Sequence, residues 1–309
     1  MLVRVAALLG GLLVAAGCRP PRAAWRPLPA AGAPQPTAVV AGSAAADWQA
    51  IAPADLLVVD FADGGRVVVQ LAPDFAPVHV ANIRAFARTG SWARAAVYRV
   101  QDNYVAQWGN NPASDTSEAF PVGVVRQPPA EYDRPVDGLA IRDLGYPDPY
   151  AARTGHAGGW PVAYDPAARR AWLPHCYGSV GVGRGLAPNT GSGGELYAVI
   201  GQPPRHLDRN IANVGRVIEG MASFSARPRG TGNLGFYQRD RGETPVPIAR
   251  VRLASDLPEA ERPRFEVLRT DTPAFAAYVA GRANRSDAFF ARPAGGIDVC
   301  GVAVPVRRR

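Results

Sequence analysis

The run LLVVDFADGGRVVVQL, residues 56–71, decides the fold class of this chain. Two stretches rich in valine and leucine, residues 56–61 and 66–71, flank the turn-forming sequence Asp63-Gly64-Gly65. Strand-forming residues on both sides of an Asp-Gly turn are a strong short-range signal for a β-hairpin. The segment therefore predicts two antiparallel strands at the start of a β-rich domain.

The sequence after the hairpin predicts one helix and then further short strands. The helix is expected to begin near Asp74 and Pro77 and to end at Thr89-Gly90, with apolar residues at helical spacing between them. Later segments look like strands, without the regular alternation with helices that parallel sheets need; they are residues 96–100, 104–108, 195–200, 211–217 and 247–253. A short helix is expected at 220–224. This order predicts a mainly β fold, a closed antiparallel barrel with capping helices.

Two segments do not fit the barrel pattern. Residues from about 110 to 177 are rich in Pro, Gly, Asp and Arg, and we expect them to form a long, irregular loop insertion. Residues 255–309 form a C-terminal extension, with a helix from Thr272-Pro273 to about Arg282 and a strand-like run at 297–306. The barrel domain is therefore expected over residues 48–254, with the extension packed on it.

The N-terminal residues indicate export and a lipid anchor. Arg4 precedes an apolar run, Val5–Ala16, of the length of a signal-peptide core. The run leads into Ala15-Ala16-Gly17-Cys18, which resembles the bacterial lipobox, in which the cysteine is lipidated. We expect a signal peptide over 1–17, lipid on Cys18, and an Ala/Pro-rich tether over 18–47. An ordinary cleaved signal with an incidental cysteine is the alternative.

This N-terminus also predicts a location. A lipid on Cys18 would hold the protein on the periplasmic side of a bacterial membrane. Arg19 follows the cysteine where an aspartate would favour retention at the inner membrane, so the outer membrane is favoured.

The composition excludes several kinds of chemistry. All 34 basic residues among the 309 are arginine, so Schiff-base, pyridoxal-phosphate and P-loop lysine chemistry is absent. The formal charge of +8 is spread along the chain without a cluster of arginines and aromatics, and we expect no nucleic-acid partner. The four histidines are not spaced as a metal site, and neither a metal nor a cofactor is expected.

Cys176 and Cys300 remain once Cys18 is set aside. In an oxidising compartment they could pair only with each other, which would tie the C-terminal extension to the main domain. Two buried thiols are the alternative, because sequence spacing gives no geometry.

Motifs distributed from about Gly65 to Leu253 resemble the cyclophilin family of peptidyl-prolyl cis-trans isomerases. The resemblance lies in the order and spacing of several short pieces across some 190 residues. They are Gly65-x-Val67-x-Val69-x-Leu71, Ala76-Pro77-x-x-Val80-Ala81-Asn82-Ile83, Gly90-x-Trp92, Val97-Tyr98-Arg99-Val100, Tyr104-Val105-x-Gln107-x-Gly109, Pro188-Asn189-Thr190-Gly191-Ser192, Glu195-Leu196-Tyr197, Leu207-Asp208 and Val214-Gly215-Arg216-Val217-Ile218-Glu219-Gly220-Met221. The resemblance implies a cyclophilin-like barrel that isomerises X-Pro bonds of proline-containing polypeptides.

The resemblance also assigns the site residues. Arg99 stands at the family's catalytic arginine and Gln107 at the glutamine that binds substrate backbone and orients the arginine. The apolar pocket for proline would be formed by the remaining matches, Tyr104, Val105, Tyr197 and Leu207. Such a site suits the reaction, because rotating an X-Pro bond needs a slot for the ring and a fixed donor for the twisted nitrogen rather than an acid-base pair.

The chain departs from the family at four places. His206 replaces a common tryptophan, Ile211 a pocket histidine and Val214 a phenylalanine, while Glu195-Leu196 alters a polar-aromatic pair. Lost pocket contacts slow a reaction tenfold for about every 1.4 kcal/mol. The alternative function is therefore a catalytically weak or inactive cyclophilin-like barrel that acts as a lipid-anchored binding or chaperone module.

Overall fold

The structure is a computed structural model that describes residues 32–110, 120–202 and 204–309. All strand pairs within these ranges are antiparallel. The strands are β1 (Trp48–Ala50), β2 (Leu56–Phe61), β3 (Arg66–Leu71), β4 (Ala96–Val100), β5 (Val105–Gly109), β6 (Arg134–Pro135), β7 (Arg142–Asp143), β8 (Arg153–Ala157), β9 (Trp160–Asp165), β10 (Arg170–Trp172), β11 (Ser179–Val182), β12 (Glu195–Val199), β13 (Asn213–Glu219), β14 (Val246–Leu253), β15 (Phe265–Leu268) and β16 (Val306–Arg308). The α-helices are α1 (Pro36–Gly42), α2 (Pro77–Arg88), α3 (Ala222–Ser225) and α4 (Pro273–Ala283).

Eight strands form a closed barrel in the order β11-β12-β5-β4-β14-β2-β3-β13. The hairpin predicted from residues 56–71 is β2 and β3, with Val59 paired to Val67. Alternate side chains of this hairpin, such as Leu57 and Val69, point into the barrel and join its apolar core. The predicted fold class, a closed antiparallel barrel, is confirmed.

Helix α2 packs its apolar face on the barrel core. Pro77 occupies its first turn, where a missing N–H costs nothing, and Val80, Ile83 and Phe86 are buried in the core. The shorter α3 adds Phe224, whose ring meets Phe61 edge-on at 5.5 Å between centroids.

The insertion is not the irregular loop that its composition suggests. Its described part holds a five-stranded sheet in the order β6-β10-β9-β8-β7, with a small core that includes Trp160, Val162 and Leu173. The prediction was wrong here because these strands have two to six residues and are separated by Pro, Gly and Asp turns. They pack against Ala72 and Phe75, which precede them by many residues in the chain.

The C-terminal extension lies on the outer face of the barrel. Strands β15 and β16 form a three-stranded sheet with β1, and α4 packs on the same core, with Thr272 Oγ1 accepting a hydrogen bond from the Phe275 N–H at its start. The core between them includes the outward-facing Leu56 and Val58 of β2. A disulfide between Cys176 and Cys300, with Cα atoms 5.1 Å apart, joins the extension to the chain just before β11.

The end of the predicted tether is folded rather than extended. Helix α1 lies against α4, where the Pro34 carbonyl leaves no room for a side chain at Gly281, and Val39 and Val40 pack on the extension's core. The last part of the expected tether therefore has the apolar contacts that an extended tether lacks. None of the helices in residues 32–110, 120–202 and 204–309 has the length and apolar character to cross a membrane.

Candidate active site

Strand register brings three of the predicted site residues into one row on the outside of the barrel. Arg99 of β4 is paired with Gln107 of β5, and Gln107 is paired with Tyr197 of β12. Directly opposed residues of an antiparallel sheet point to the same face. The next position in the row is Gly181 of β11, where a side chain would collide with the Tyr197 hydroxyl.

The Arg99 guanidinium is held by three oxygen acceptors. Its Nε donates to the Leu234 carbonyl at 2.7 Å, Nη1 to Gln107 Oε1 at 2.9 Å and Nη2 to Gln101 Oε1 at 2.5 Å. A guanidinium has five N–H donors, so one on each terminal nitrogen is left for a ligand. The arrangement fixes the plane of the guanidinium and the direction of its remaining N–H donors.

Two aromatic rings enclose the same guanidinium. Its Cζ lies 5.4 Å from the centroid of Phe236 and 5.9 Å from that of Tyr104. Burial lowers the pKa of Arg99, because desolvation disfavours the charged form, with Tyr104 among the neighbours that oppose the shift. The ordinary pKa of arginine is so high that the group remains a cation at neutral pH.

A chain of hydrogen bonds orients the Gln107 amide. While its Oε1 accepts from Arg99, its Nε2 donates to the Tyr98 hydroxyl at 2.8 Å, and that hydroxyl donates to Glu195 Oε2. Burial and the Glu195 charge raise the pKa of Tyr98, so the phenol keeps its proton. The amide orientation is therefore set from both ends.

The predicted pocket residues gather in one apolar cluster beside Arg99. Val105, Tyr197 and Val199 are buried there, with partly buried Tyr104, Leu207 and Ile211 packed against them. Val105 and Val199 are paired across β5 and β12, on the same outward face as the row of Arg99. The cluster offers an apolar surface next to a fixed cationic donor, which is the combination that a proline ring and its flanking amide require.

Behind the pocket, a buried polar network holds Tyr197. The Tyr197 hydroxyl lies 3.0 Å from His175 Nε2, and His175 Nδ1 lies 3.1 Å from Asp208 Oδ1. With Nδ1 donating to the carboxylate, Nε2 accepts a hydrogen bond from the tyrosine hydroxyl. Burial raises the pKa of Asp208, but the hydrogen bond from His175 and the charge of Arg205 outweigh it and lower that pKa overall.

Through this network the insertion reaches the active-site face. Arg205 donates to Asp208 Oδ2 at 2.6 Å and makes a bidentate ion pair with Asp148, at 3.0 and 3.1 Å. Asp148 belongs to the insertion. The side chains of Arg205, Asp148 and Asp208 are each at most 5% exposed. The insertion therefore supports the floor of the pocket from behind.

His206, one of the departures from the family pattern, lies at the edge of the pocket. Its ring is stacked on Tyr104 with the centroids 6.0 Å apart and the planes within 4°. Its Nε2 lies 3.4 Å from the Tyr104 hydroxyl. Ile211, the second departure, adds to the apolar cluster.

Several residues of the site were not assigned to it from the sequence. His175 was considered only as one of four histidines without the spacing of a metal site, Tyr98 stands in a family motif without an assigned role, and Gln101 and Phe236 lie outside the predicted set. They reach the site through strand register or through loops that fold back onto the barrel. The isolated β-bridge between Arg99 and Phe236 is an example of such a loop. Cys18 lies outside the described residues, and within the described ranges no group of three or more His, Cys, Asp or Glu side chains could hold a metal.

Comparison with known proteins agrees with this geometry. The family model for "Cyclophilin type peptidyl-prolyl cis-trans isomerase/CLD" matches residues 57–252, more than half of the chain. Proteins named "Probable peptidyl-prolyl cis-trans isomerase" from Brucella suis biovar 1 (strain 1330) and Brucella melitensis biotype 1 (strain ATCC 23456 / CCUG 17765 / NCTC 10094 / 16M) are each 26% identical over 168 residues, 54% of this chain and 68% of theirs.

The crystal structure of cyclophilin AquaCyp293 from Hirschia baltica is similar in fold, with a TM-score of 0.66 at 25% identity. The similarity covers 84% of this chain and 93% of that one, so it extends well beyond the residues matched by the family model. Barrel, motifs and relatives agree, and the chain belongs to the cyclophilin-type peptidyl-prolyl cis-trans isomerases.

Proposed function

We propose that the chain catalyses X-Pro rotation with Arg99 as the donor and the cluster of Tyr104, Val105, Tyr197 and Leu207 as the proline pocket. The observation that carries the proposal is the Arg99 guanidinium, fixed by three oxygen acceptors beside that cluster. Uncatalysed rotation meets a barrier of roughly 18–20 kcal/mol because amide resonance must be broken. A donor already in place for the twisted amide nitrogen stabilises the transition state more than the planar ground state.

Gln107 has two roles in this proposal. It holds one Arg99 nitrogen through Oε1, and its position between Arg99 and Tyr197 supports a contact with the backbone of a bound polypeptide. Proline-containing polypeptides are the partners that this surface fits. The proposed chemistry requires neither a cofactor nor a nucleic acid.

The test is a proline isomerisation assay on a peptide substrate, with wild type and Arg99→Ala compared. Removing one preorganised donor from an active site costs about 10²- to 10³-fold in rate, and we expect a loss of at least about 100-fold in kcat/KM. Arg250→Ala, at an exposed arginine of β14, is the matched control and should keep the wild-type rate. A wild-type rate at the uncatalysed background, or an Arg99→Ala variant as fast as wild type, would contradict the proposal.

One observation favours a second function, a weakly active binding or chaperone module. His206 stacks on Tyr104 at the edge of the pocket, where its ring could narrow access for the proline. In that case wild type would bind unfolded polypeptides and slow their aggregation. The Arg99→Ala variant would slow aggregation as strongly as wild type. An aggregation assay run beside the isomerisation assay distinguishes the two functions.

We also propose that the protein works on the periplasmic side of a bacterial membrane, held by lipid on Cys18. The support is the apolar run Val5–Ala16, the small residues before Cys18 and the tether after it. The Cys176–Cys300 disulfide fits an oxidising compartment. We expect Cys18→Ser to move the protein from the outer-membrane fraction to the soluble fraction; a variant that stays with the membrane would contradict the anchor.

A further inference from the structure

A recess lies where the barrel, the insertion and the C-terminal extension meet. It has a volume of about 220 Å³ and lies away from the active-site row. Trp160 comes from the insertion, Val217 from β13 of the barrel, and Val302 and Val304 from the extension, while the Cys176–Cys300 disulfide forms part of its wall. A single water needs only about 10–15 Å³, so the recess has room for a small organic molecule.

Arg216 is the only charged residue that lines the recess, among the residues that the structure describes. Its Nε and Nη2 both donate to Gln70 Oε1, at 3.1 and 2.8 Å, and its Cζ lies 4.5 Å from the Trp160 ring centroid. These contacts fix the guanidinium plane but do not offset its charge. In the described ranges no carboxylate makes an ion pair with Arg216, and its Nη1 has no hydrogen-bond partner.

Arg205, a buried arginine in the insertion's network, provides a contrast. Arg205 makes ion pairs with both Asp148 and Asp208. Enclosed charges in proteins are normally paired, because an unpaired one loses its hydration without compensation. Arg216 is partly exposed, and its partners are the neutral Gln70 amide and the Trp160 ring rather than a carboxylate, so desolvation lowers its pKa.

We propose that the recess binds a small organic carboxylate, with the carboxylate on Arg216 Nη1 and the apolar body against Val217, Val302 and Val304. A carboxylate matches the single charge and the hydrogen-bonding fork of one guanidinium. A phosphate dianion would bring a second negative charge into walls that contain no other cation. The apolar lining favours a branched or aromatic body over a sugar acid or another polar anion.

The ligand would bridge three parts of the chain at the place where they join. The recess and the isomerase pocket share no lining residue, so the two sites are independent. Failure of one proposal therefore leaves the other standing.

The first test is calorimetric titration of the full chain at pH 7 with 4-methylpentanoate and 3-phenylpropionate. Each acid is matched by its primary amide, which has the same shape without the charge, and inorganic phosphate is a third probe. We expect saturable one-to-one binding of at least one acid, with its amide and phosphate at least tenfold weaker. Absence of saturable binding by both acids, or equal binding of acid and amide, would overturn the proposal.

Two variants locate the binding. Arg216→Gln removes the charge while keeping hydrogen-bonding groups, and Ala303→Trp blocks an exposed position of the lining while leaving Arg216 in place. Both should weaken acid binding at least tenfold, and Arg250→Gln, which removes an exposed charge elsewhere, should not. If Arg216→Gln does not fold, as judged by its circular dichroism and thermal transition, Ala303→Trp decides the question. Wild-type affinity in a folded variant of either kind would overturn the site.

A tetrapeptide ending in leucine distinguishes free acids from polypeptide chain ends. The small volume predicts that the tetrapeptide binds more weakly than the better acid. If it bound more tightly than both acids and its C-terminal amide did not, the ligand would be a chain end and the assignment to a small free acid would be overturned.

Discussion

At the scale of single residues, Arg99 differs from an ordinary surface arginine because all three of its nitrogens are already fixed. The acceptors Leu234, Gln107 and Gln101 come from three directions and hold the planar fork. A lysine ammonium keeps the charge but presents its donors from one atom at the end of a flexible stem. We therefore predict that Arg99→Lys loses at least about tenfold in kcat/KM, measured in the proline isomerisation assay.

The matched control for this prediction is Arg250→Lys, which changes an exposed arginine in the same way and should be neutral. If Arg99→Lys retained more than half of the wild-type kcat/KM, positive charge alone would be enough. The geometry of the fork would then have no catalytic importance.

His175 is a positioning residue, because it contacts Tyr197 and not the space that a substrate would fill. Its loss leaves the Tyr197 hydroxyl and the Asp208 carboxylate without their shared partner. Leaving a buried polar group unsatisfied costs about 1–3 kcal/mol. We predict that His175→Ala lowers the free energy of unfolding by about that amount and raises KM several-fold, with kcat little changed because Arg99 is untouched.

The conservative variant His175→Gln tests this reading. It can hydrogen-bond to one of the two neighbours and should recover part of the KM effect. A His175→Ala variant with an unchanged KM would show that Tyr197 is held without His175.

At the scale of elements, the disulfide is the covalent link between the C-terminal extension and the rest of the chain. Its cysteines are 124 residues apart in sequence, and closing so long a loop restricts the unfolded chain strongly. We predict that Cys300→Ser lowers the free energy of unfolding by about 2–4 kcal/mol, measured by urea denaturation.

Reduction provides the matched control. Wild type treated with a reductant should approach the stability of Cys300→Ser, and the variant itself should not respond. A wild-type urea midpoint that stayed the same after reduction would mean that noncovalent packing alone holds the extension.

The elements that could be predicted are those with local signals. The hairpin of β2 and β3 has its Asp-Gly turn, and α2 and α4 each begin at a proline. The sheet of the insertion could not be found this way, because β6 has two residues, β9 contains Pro161 and β6 pairs with the distant β10 rather than with its neighbour in the chain. Local patterns describe turns and caps but not nonlocal pairing.

The candidate site divides in the same way. Resemblance to the family located Arg99, Gln107 and the apolar cluster, and the register of β4, β5 and β12 places them together. The support behind the pocket was not predicted, because His175 meets Asp208 and Arg205 only through the tertiary fold. The arrangement of the N-terminal segment around Cys18 stays a prediction.

At the scale of the whole molecule, His156 lies where the insertion meets the C-terminal extension. Its Nε2 is 3.1 Å from the Val302 carbonyl, and its ring meets Phe275 at 4.9 Å between centroids. The side chain is buried, and burial lowers its pKa from 6.5 to about 4. The histidine is therefore neutral in the folded protein, with Nε2–H as the donor to Val302.

This buried histidine predicts how stability depends on pH. Above about pH 6.5 it is neutral in both the folded and the unfolded chain and has no pH-dependent effect. Between pH 6.5 and about 4, His156 is protonated in the unfolded chain but neutral in the folded one. The free energy of unfolding therefore falls as the pH falls. With about 1.4 kcal/mol for each pKa unit, the loss by pH 4.5 is about 2–3 kcal/mol.

The measurement is urea unfolding of wild type and His156→Gln at pH 7.5 and 4.5. The glutamine can donate to the same carbonyl but does not titrate, so the variant should lose about 2–3 kcal/mol less than wild type over this interval. Carboxylates with lowered pKa, such as Asp208 and Glu131, lose their contribution at lower pH and are the same in both proteins. Equal losses in the two proteins would show that His156 is not the group through which acid loosens the junction between insertion and extension.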